Sequence, residues 1–280
     1  MSTLDDRLDV LAAQFAALPG VLVAFSGGVD SGVVLAAAVR TLGADRVVAA
    51  TAVSPSLPAT EREGAAAFGA SLGVRHEFPC TDELSREGYR ANAGDRCAFC
   101  KTELVDVLTP LAAHLGIADV VTGTNADDLK AGFRPGIRAA AERGAATPLR
   151  DAGFTKEQVR AASRAWDLPT WGKPAAACLS SRVAFGIEVS PFRLARVERA
   201  EAAVRAELGR SGIDVLNVRV RDVCDRASVE VDAERVDEVR SHPTVLAAVL
   251  AAGFDDAEVD SKGFRSGSMN ERLPEPERFR

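Results

Sequence analysis

Apolar and polar positions along the first half of the chain predict strands and helices in turn. Residues 21–25 and 47–51 are short apolar runs of strand length, and 74–78 and 119–122 are further strand candidates. Between them, residues 31–42, 60–72 and 103–115 carry the mixed spacing of helices. Gly43 stops the first helix, and Thr60 with Glu63 three residues on makes a capping-box pattern at the start of the second. The opening residues lack a basic stretch followed by an apolar one, so they read as an amphipathic helix and not a signal peptide. This order predicts an α/β fold: a parallel sheet with helices on both faces, its ligands beyond the carboxyl ends of the strands.

The second half changes character. Residues 155–166 predict one more helix, with Thr155 as its cap. Pro169 and Pro174 then forbid a continuous helix, and the domain boundary is expected here: residues 1–175, then a smaller C-terminal α+β domain over 176–280. That domain opens on a helix with Leu194, Val197, Val204 and Leu208 on one face. Strands are expected over 215–220 and 227–231, helices over 234–240 and 244–252. The tail EPERFR is charged and expected to be loose.

Composition narrows the function classes. With 280 residues, 47% of them hydrophobic and 26% charged, the chain is an ordinary globular protein. Its net charge is −6 and its pI near 5.3. Proteins that grip long nucleic acid tend to have a pI above about 9, so no nucleic-acid partner is expected. No apolar run is long enough to span a bilayer. A cytoplasmic protein with no membrane partner is expected, and a homo-oligomer. In that compartment its five cysteines (80, 97, 100, 178 and 224) point to metal binding or catalysis more than to disulfides.

The chemistry starts at Ser26-Gly27-Gly28-Val29-Asp30-Ser31. Two glycines between a strand and a helix let the backbone approach a ligand closely. The helix start then offers N–H groups to an anion, and Ser26 and Ser31 can add hydroxyls. The loop has no lysine, so it is not the G-x-x-x-x-G-K-[ST] phosphate loop. Asp30 is suited to orienting the loop or a Mg²⁺. A second polar stretch, Thr122 to Asp128, follows the fourth strand and brings Gly123 and Asn125 to the same end of the sheet. Asp127 or Asp128 could hold Mg²⁺; the alternative is a polar loop capping a helix.

Cys97 and Cys100 form C-x-x-C, which fits a redox pair, half a zinc site or cluster ligands. Cys178 lies in the proline-bounded loop near Arg182, a cation that favours thiolate. Three thiolates, if they converge, can hold three irons of a [4Fe–4S] cluster and leave the fourth iron open. Cys80 and Cys224 read as structural, and the three histidines as filler. Val218-Arg-Val-Arg221 alternates, so Arg219 and Arg221 share a strand face. Two guanidiniums on one face suit a phosphate; the alternative is a solvated face paired with Glu230 or Asp232.

S-G-G-V-D-S resembles the PP-loop of the ATP pyrophosphatases, which implies that ATP binds there with Mg²⁺, that AMP passes to an acceptor oxygen and that pyrophosphate leaves. The whole chain resembles the LarE family of ATP-dependent sulfur transferases. The resemblance rests on SGGVDS (26–31), DRCAFCK (95–101), TGTNADD (122–128), FRPG (133–136), ACLSSRVAFG (177–186), VRVR (218–221) and KGFRSGSMN (262–270). It implies adenylylation of a carboxylate of pyridinium-3,5-biscarboxylic acid mononucleotide and its conversion to a thiocarboxylate. It also implies a substrate-phosphate site at Ser181, Arg182, Arg219 and Arg221, an active-site role for Glu201, and a C-terminal motif with Arg265 and Asn270. All three cysteine positions being present, it implies the type in which Cys97, Cys100 and Cys178 hold a [4Fe–4S] cluster carrying the sulfide. Sacrifice of the Cys178 sulfur stays open, as do an ammonia-using ligase of the NAD synthetase kind, a tRNA thiolase and an iron–sulfur scaffold.

Overall fold

The computed structural model describes residues 3–130, 135–174, 177–265 and 267–269. In chain order the first elements are α1 (Leu4–Ala16), β1 (Val21–Ala24), α2 (Val29–Leu42), β2 (Val47–Ala50), α3 (Ala59–Ser71) and β3 (Arg75–Glu77). Then come α4 (Glu87–Arg90), α5 (Arg96–His114), β4 (Asp119–Val121), α6 (Ala126–Lys130), α7 (Pro135–Ala141), α8 (Pro148–Asp151) and α9 (Lys156–Ala165). The last are α10 (Pro191–Arg210), β5 (Val218–Val223), β6 (Arg226–Val231), α11 (Val236–Arg240), α12 (Pro243–Ala251) and β7 (Asp256–Val259). They divide into two compact units. One takes the chain up to residue 83 and from 95 to 174; the other takes residues 84–94 and the chain from 177.

The first unit is α/β, with a wholly parallel sheet in the order β3-β2-β1-β4. The period-two alternation of a strand gives each face its own core. Val21, Val23, Val47, Ala49 and Val121 pack with Phe15 of α1, Leu35 of α2 and Val159 of α9. Leu22, Val48 and Val120 pack with Leu108 and Ala112 of α5. With β2 on one side of β1 and β4 on the other, the strand order reverses at β1. The crevice beyond the carboxyl ends of β1 and β4 is the switch point where such sheets bind ligands.

Several boundaries differ from the sequence expectation. Helix α3 starts at Ala59 after Pro58, with no side-chain cap, so Thr60 lies inside the first turn and does not cap it. Helix α5 starts at Arg96, seven residues before the expected position, and both Cys97 and Cys100 stand on it. The cap at Thr155 is present as a full capping box with Gln158.

The second unit holds the separate sheet β5-β6-β7, with β5–β6 antiparallel and β6–β7 parallel. Leu194, Val197, Val204 and Leu208 form the buried face of α10. Strand β5 starts three residues later than expected because Asp232 accepts bonds from the Leu216 and Asn217 N–H groups and holds them out of the ladder. Residues 84–94 are stitched into this unit. Buried Asn92 donates its amide to the carbonyls of Val183, Ala184 and Ile187, and Tyr89 and Ser180 share a hydroxyl bond of 2.6 Å.

Candidate functional site

The first unit builds a glycine cradle at the carboxyl end of β1. Gly27 has φ +73°, where a side chain would be strained, and Gly28 is the N-cap of α2 with no side-chain bond. The first N–H groups of α2 are therefore not taken up by a capping side chain. Ser31 Oγ sets the shape of the turn: it donates to Gly28 O at 3.1 Å, accepts from Ser26 N at 3.2 Å, and lies 3.1 Å from Ser26 Oγ. Gly123, after β4, approaches the same turn. A Cβ there would lie 2.6 Å from Ser31 N and 3.0 Å from Asp30 C, both backbone atoms. Only glycine lets the two loops meet.

Asn125 is buried and joins the loops. Its Nδ2 donates to Asp30 Oδ1 at 3.0 Å, while its Oδ1 accepts from Asp127 N and Asp128 N and so caps α6. Asp128 Oδ2 accepts from Asn125 N, and Asp127 Oδ2 accepts from Lys156 N. Asp128 thus serves its own turn, and Asp127 the first N–H of α9.

Two residues that sequence reasoning missed stand at the cradle. Lys156 Nζ pairs with Asp30 Oδ2. Lys173 Nζ donates to Gly27 O at 3.0 Å and to Glu61 Oε2 at 2.6 Å. Arg160 holds the segment bearing Lys173 by donating to the carbonyls of Trp171 and Lys173. Lysine occurs at only five positions (101, 130, 156, 173 and 262). Its scarcity is the one sequence signal that marks these two.

Cys97 is exposed and Cys100 partly so, three apart on the first turn of α5. Gly136 of α7 fits close beneath them: a Cβ would lie 2.7 Å from Cys97 O. Cys178 belongs to the second unit, where it precedes the 3-10 turn Leu179–Arg182. Its carbonyl accepts from Ser181 N, Ser181 Oγ and Arg182 Nη1. Among the described residues, no group of three or more His, Cys, Asp or Glu stands together as a metal site. Cys80 and Cys224, expected to be structural, are exposed.

The second unit gathers three arginines and two glutamates. Glu201 of α10 takes Arg182 in a two-pronged bond, Nε to Oε1 at 2.8 Å and Nη2 to Oε2 at 3.1 Å, and also accepts from Val220 N. Glu230 of β6 takes Arg221 Nε and Nη2 on Oε2, and Ser268 Oγ on Oε1. Arg221 also donates to Ser181 O. Arg219 donates to Val218 O, and its guanidinium carbon lies 5.3 Å from the Phe264 ring centre. Burial, then the positive charges of Arg182, Arg221 and Arg205, lower Arg219 to about 10, with Glu201 opposing. These side chains are buried or nearly so, so the face is not solvated, while the pairing of Arg221 with Glu230 is as the ion-pair alternative has it. Arg265 donates to Gly263 O, and Asn270 lies outside the described residues.

No protein-family model matches the chain. An uncharacterized protein of Synechocystis is 41% identical over 273 residues, covering 96% of this chain and 99% of its own. The pyridinium-3,5-bisthiocarboxylic acid mononucleotide synthase of Lactiplantibacillus plantarum is 33% identical over 274 residues, covering 98% of this chain and 97% of its own. The chain belongs to the LarE family. An uncharacterized protein of Methanocaldococcus jannaschii is 26% identical over 175 residues, 62% of this chain and 66% of its own. This LarE chain has a parallel-sheet unit and a separate C-terminal sheet. No helix among the described residues is long and apolar enough to cross a membrane.

Proposed function

We propose that this protein is an ATP-dependent sulfur transferase acting on pyridinium-3,5-biscarboxylic acid mononucleotide and making its thiocarboxylates. The glycine cradle of Ser26–Ser31, closed by Gly123, carries the reading. It matches an anion that must lie against backbone N–H groups with no Cβ between. In the proposal, ATP sits there with Mg²⁺ on its phosphates. A substrate carboxylate oxygen attacks the α-phosphorus, the α–β anhydride bond breaks, and pyrophosphate leaves. A sulfur nucleophile then adds to the acyl carbon, the acyl C–O bond breaks, and AMP leaves.

Arg182, Arg219 and Arg221 bring three guanidiniums together in the second unit, beside Glu201 and Glu230. Guanidiniums grouped in this way suit the substrate phosphate. Glu201 orients Arg182, and Ser181 adds a hydroxyl.

For the sulfur, the proposal assigns Cys97, Cys100 and Cys178 to a [4Fe–4S] cluster. The donor chemistry fits, because thiolates are its usual ligands. Such a cluster supplies a bound sulfide as nucleophile. The protein's own part is to hold two thiols one turn apart on α5 and the third on the loop before Leu179.

The test is anaerobic purification with iron and sulfide analysis, alongside ATP, substrate and pyrophosphate assays. Four irons per chain with repeated turnover is the expected result. An iron-free, active protein whose Cys178 loses one sulfur per product would replace the cluster by sacrificial transfer. Absence of pyrophosphate release with ATP and substrate would overturn the whole reading.

A further inference from the structure

The phosphate cradle contains no cation in its own sequence and two carboxylates beside it. Asp30 stands in the first turn of α2, and Glu61 Oε2 lies 3.7 Å from where a Cβ of Gly27 would be. Left alone, these two acids would repel a polyphosphate. Each is met by a lysine from far along the chain: Asp30 by Lys156, 126 residues away, and Glu61 by Lys173, 112 residues away.

An ammonium has three N–H donors. Lys173 uses two, on Gly27 O and Glu61, and Lys156 Nζ uses one, on Asp30. Both side chains stay partly open to solvent, 27% for Lys173 and 41% for Lys156. Each therefore keeps donor capacity at the cradle. In a chain whose basic residues are overwhelmingly arginine, the two lysines place compact, mobile charges where a planar guanidinium would be harder to swing from carboxylate to phosphate.

We propose that Lys156 and Lys173 are the cations of the phosphate loop, parked on Asp30 and Glu61 and turning to the β- and γ-phosphates of the bound nucleotide. This rests on the reading that the cradle takes ATP. Lys173 also senses the ligand, because its contact with Gly27 O ties its ammonium to the turn that the phosphates occupy.

The test is binding of ATP, AMP and inorganic pyrophosphate, each alone, to the full-length protein and its Lys173→Met, Lys156→Met and Glu61→Gln variants. Loss of one charge-assisted contact predicts about a tenfold weaker affinity for ATP and pyrophosphate in either methionine variant, with AMP nearly unchanged. Glu61→Gln frees Lys173 and should tighten pyrophosphate binding. It also carries the test by itself if a methionine variant does not fold. Unchanged pyrophosphate affinity, an equal loss for AMP, or weaker binding in Glu61→Gln would each overturn the inference and make the lysines structural pins. A wild-type protein that binds pyrophosphate but not ATP would overturn the ATP reading instead, while the effect of Lys173→Met on pyrophosphate still judges the lysine.

Discussion

His76 donates its Nε2 proton to Thr51. The assignment follows from the partners: Thr51 Oγ1 lies 2.6 Å from Phe25 O, which only accepts, so its hydrogen goes there. The hydroxyl then accepts from His76 at 2.8 Å. The chain His76–Thr51–Phe25 thereby pins the residue that leads into the glycine cradle. On the other side of the ring, Nδ1 is buried without a bond, and Gly69 is a glycine because a Cβ would come within 2.6 Å of it.

Burial lowers the His76 pKa below its ordinary 6.5, with Glu77 opposing. The unfolded chain thus takes up a proton more readily than the folded one. The stabilisation from the neutral ring is complete above about pH 6.5 and declines as pH falls below it. Thermal midpoints between pH 8 and pH 5 should fall more steeply for wild type than for His76→Gln, which keeps a donor for Thr51 and does not titrate. Parallel curves would refute this.

Gly123→Ala should displace the glycine turn of residues 26–31, because the added methyl meets backbone and not a mobile side-chain end. The expected cost in stability is about 1–3 kcal/mol. ATP affinity should fall by more than that stability loss explains. Chemical denaturation and nucleotide titration on one preparation check both.

Glu201→Ala should be among the most damaging single changes in the second unit. It strips the two-pronged partner from Arg182 and leaves three guanidiniums facing one carboxylate. Removing one side of a buried pair costs about 3–5 kcal/mol. Glu201→Gln should recover part of this loss, read as the denaturant midpoint.

Arg219 points the opposite way. Its charge is opposed by burial and by Arg182 and Arg221, so Arg219→Met should hold or raise the thermal midpoint. Millimolar inorganic phosphate should stabilise wild type and have little effect on the variant. A variant that loses stability without phosphate and still gains from it would contradict this placement.

The parallel sheet could be read from the chain because β1 and β2 are continuous apolar runs with helical patterns between the strand candidates, although β3 is Arg75-His-Glu77. Caps are legible where a side chain makes them, as at Thr155, and not at the start of α3, where Pro58 precedes Ala59 and no side chain caps the turn. The start of α5 is not legible in the sequence because Asp95 makes no side-chain cap bond. Nor is strand β7, because Asp256-Ala-Glu-Val259 is short, acidic and largely exposed. At the site, the glycines announce themselves by composition. Lys156 and Lys173 do not, since only folding brings them next to residues more than a hundred positions away.

The stitching of residues 84–94 into the second unit has a consequence for synthesis. Asn92 leaves the ribosome 91 to 95 residues before the carbonyls its amide serves. At ordinary translation speeds of roughly 5–20 residues per second, that is a wait of several seconds or more. Throughout it, Tyr89 and Asn92 lack their eventual partners, while α5, β4 and α9 of the first unit are being made. The described residues of the first unit are therefore all made by residue 174, while residues 84–94 wait for the second, whose carbonyls for Asn92 arrive at residues 183–187.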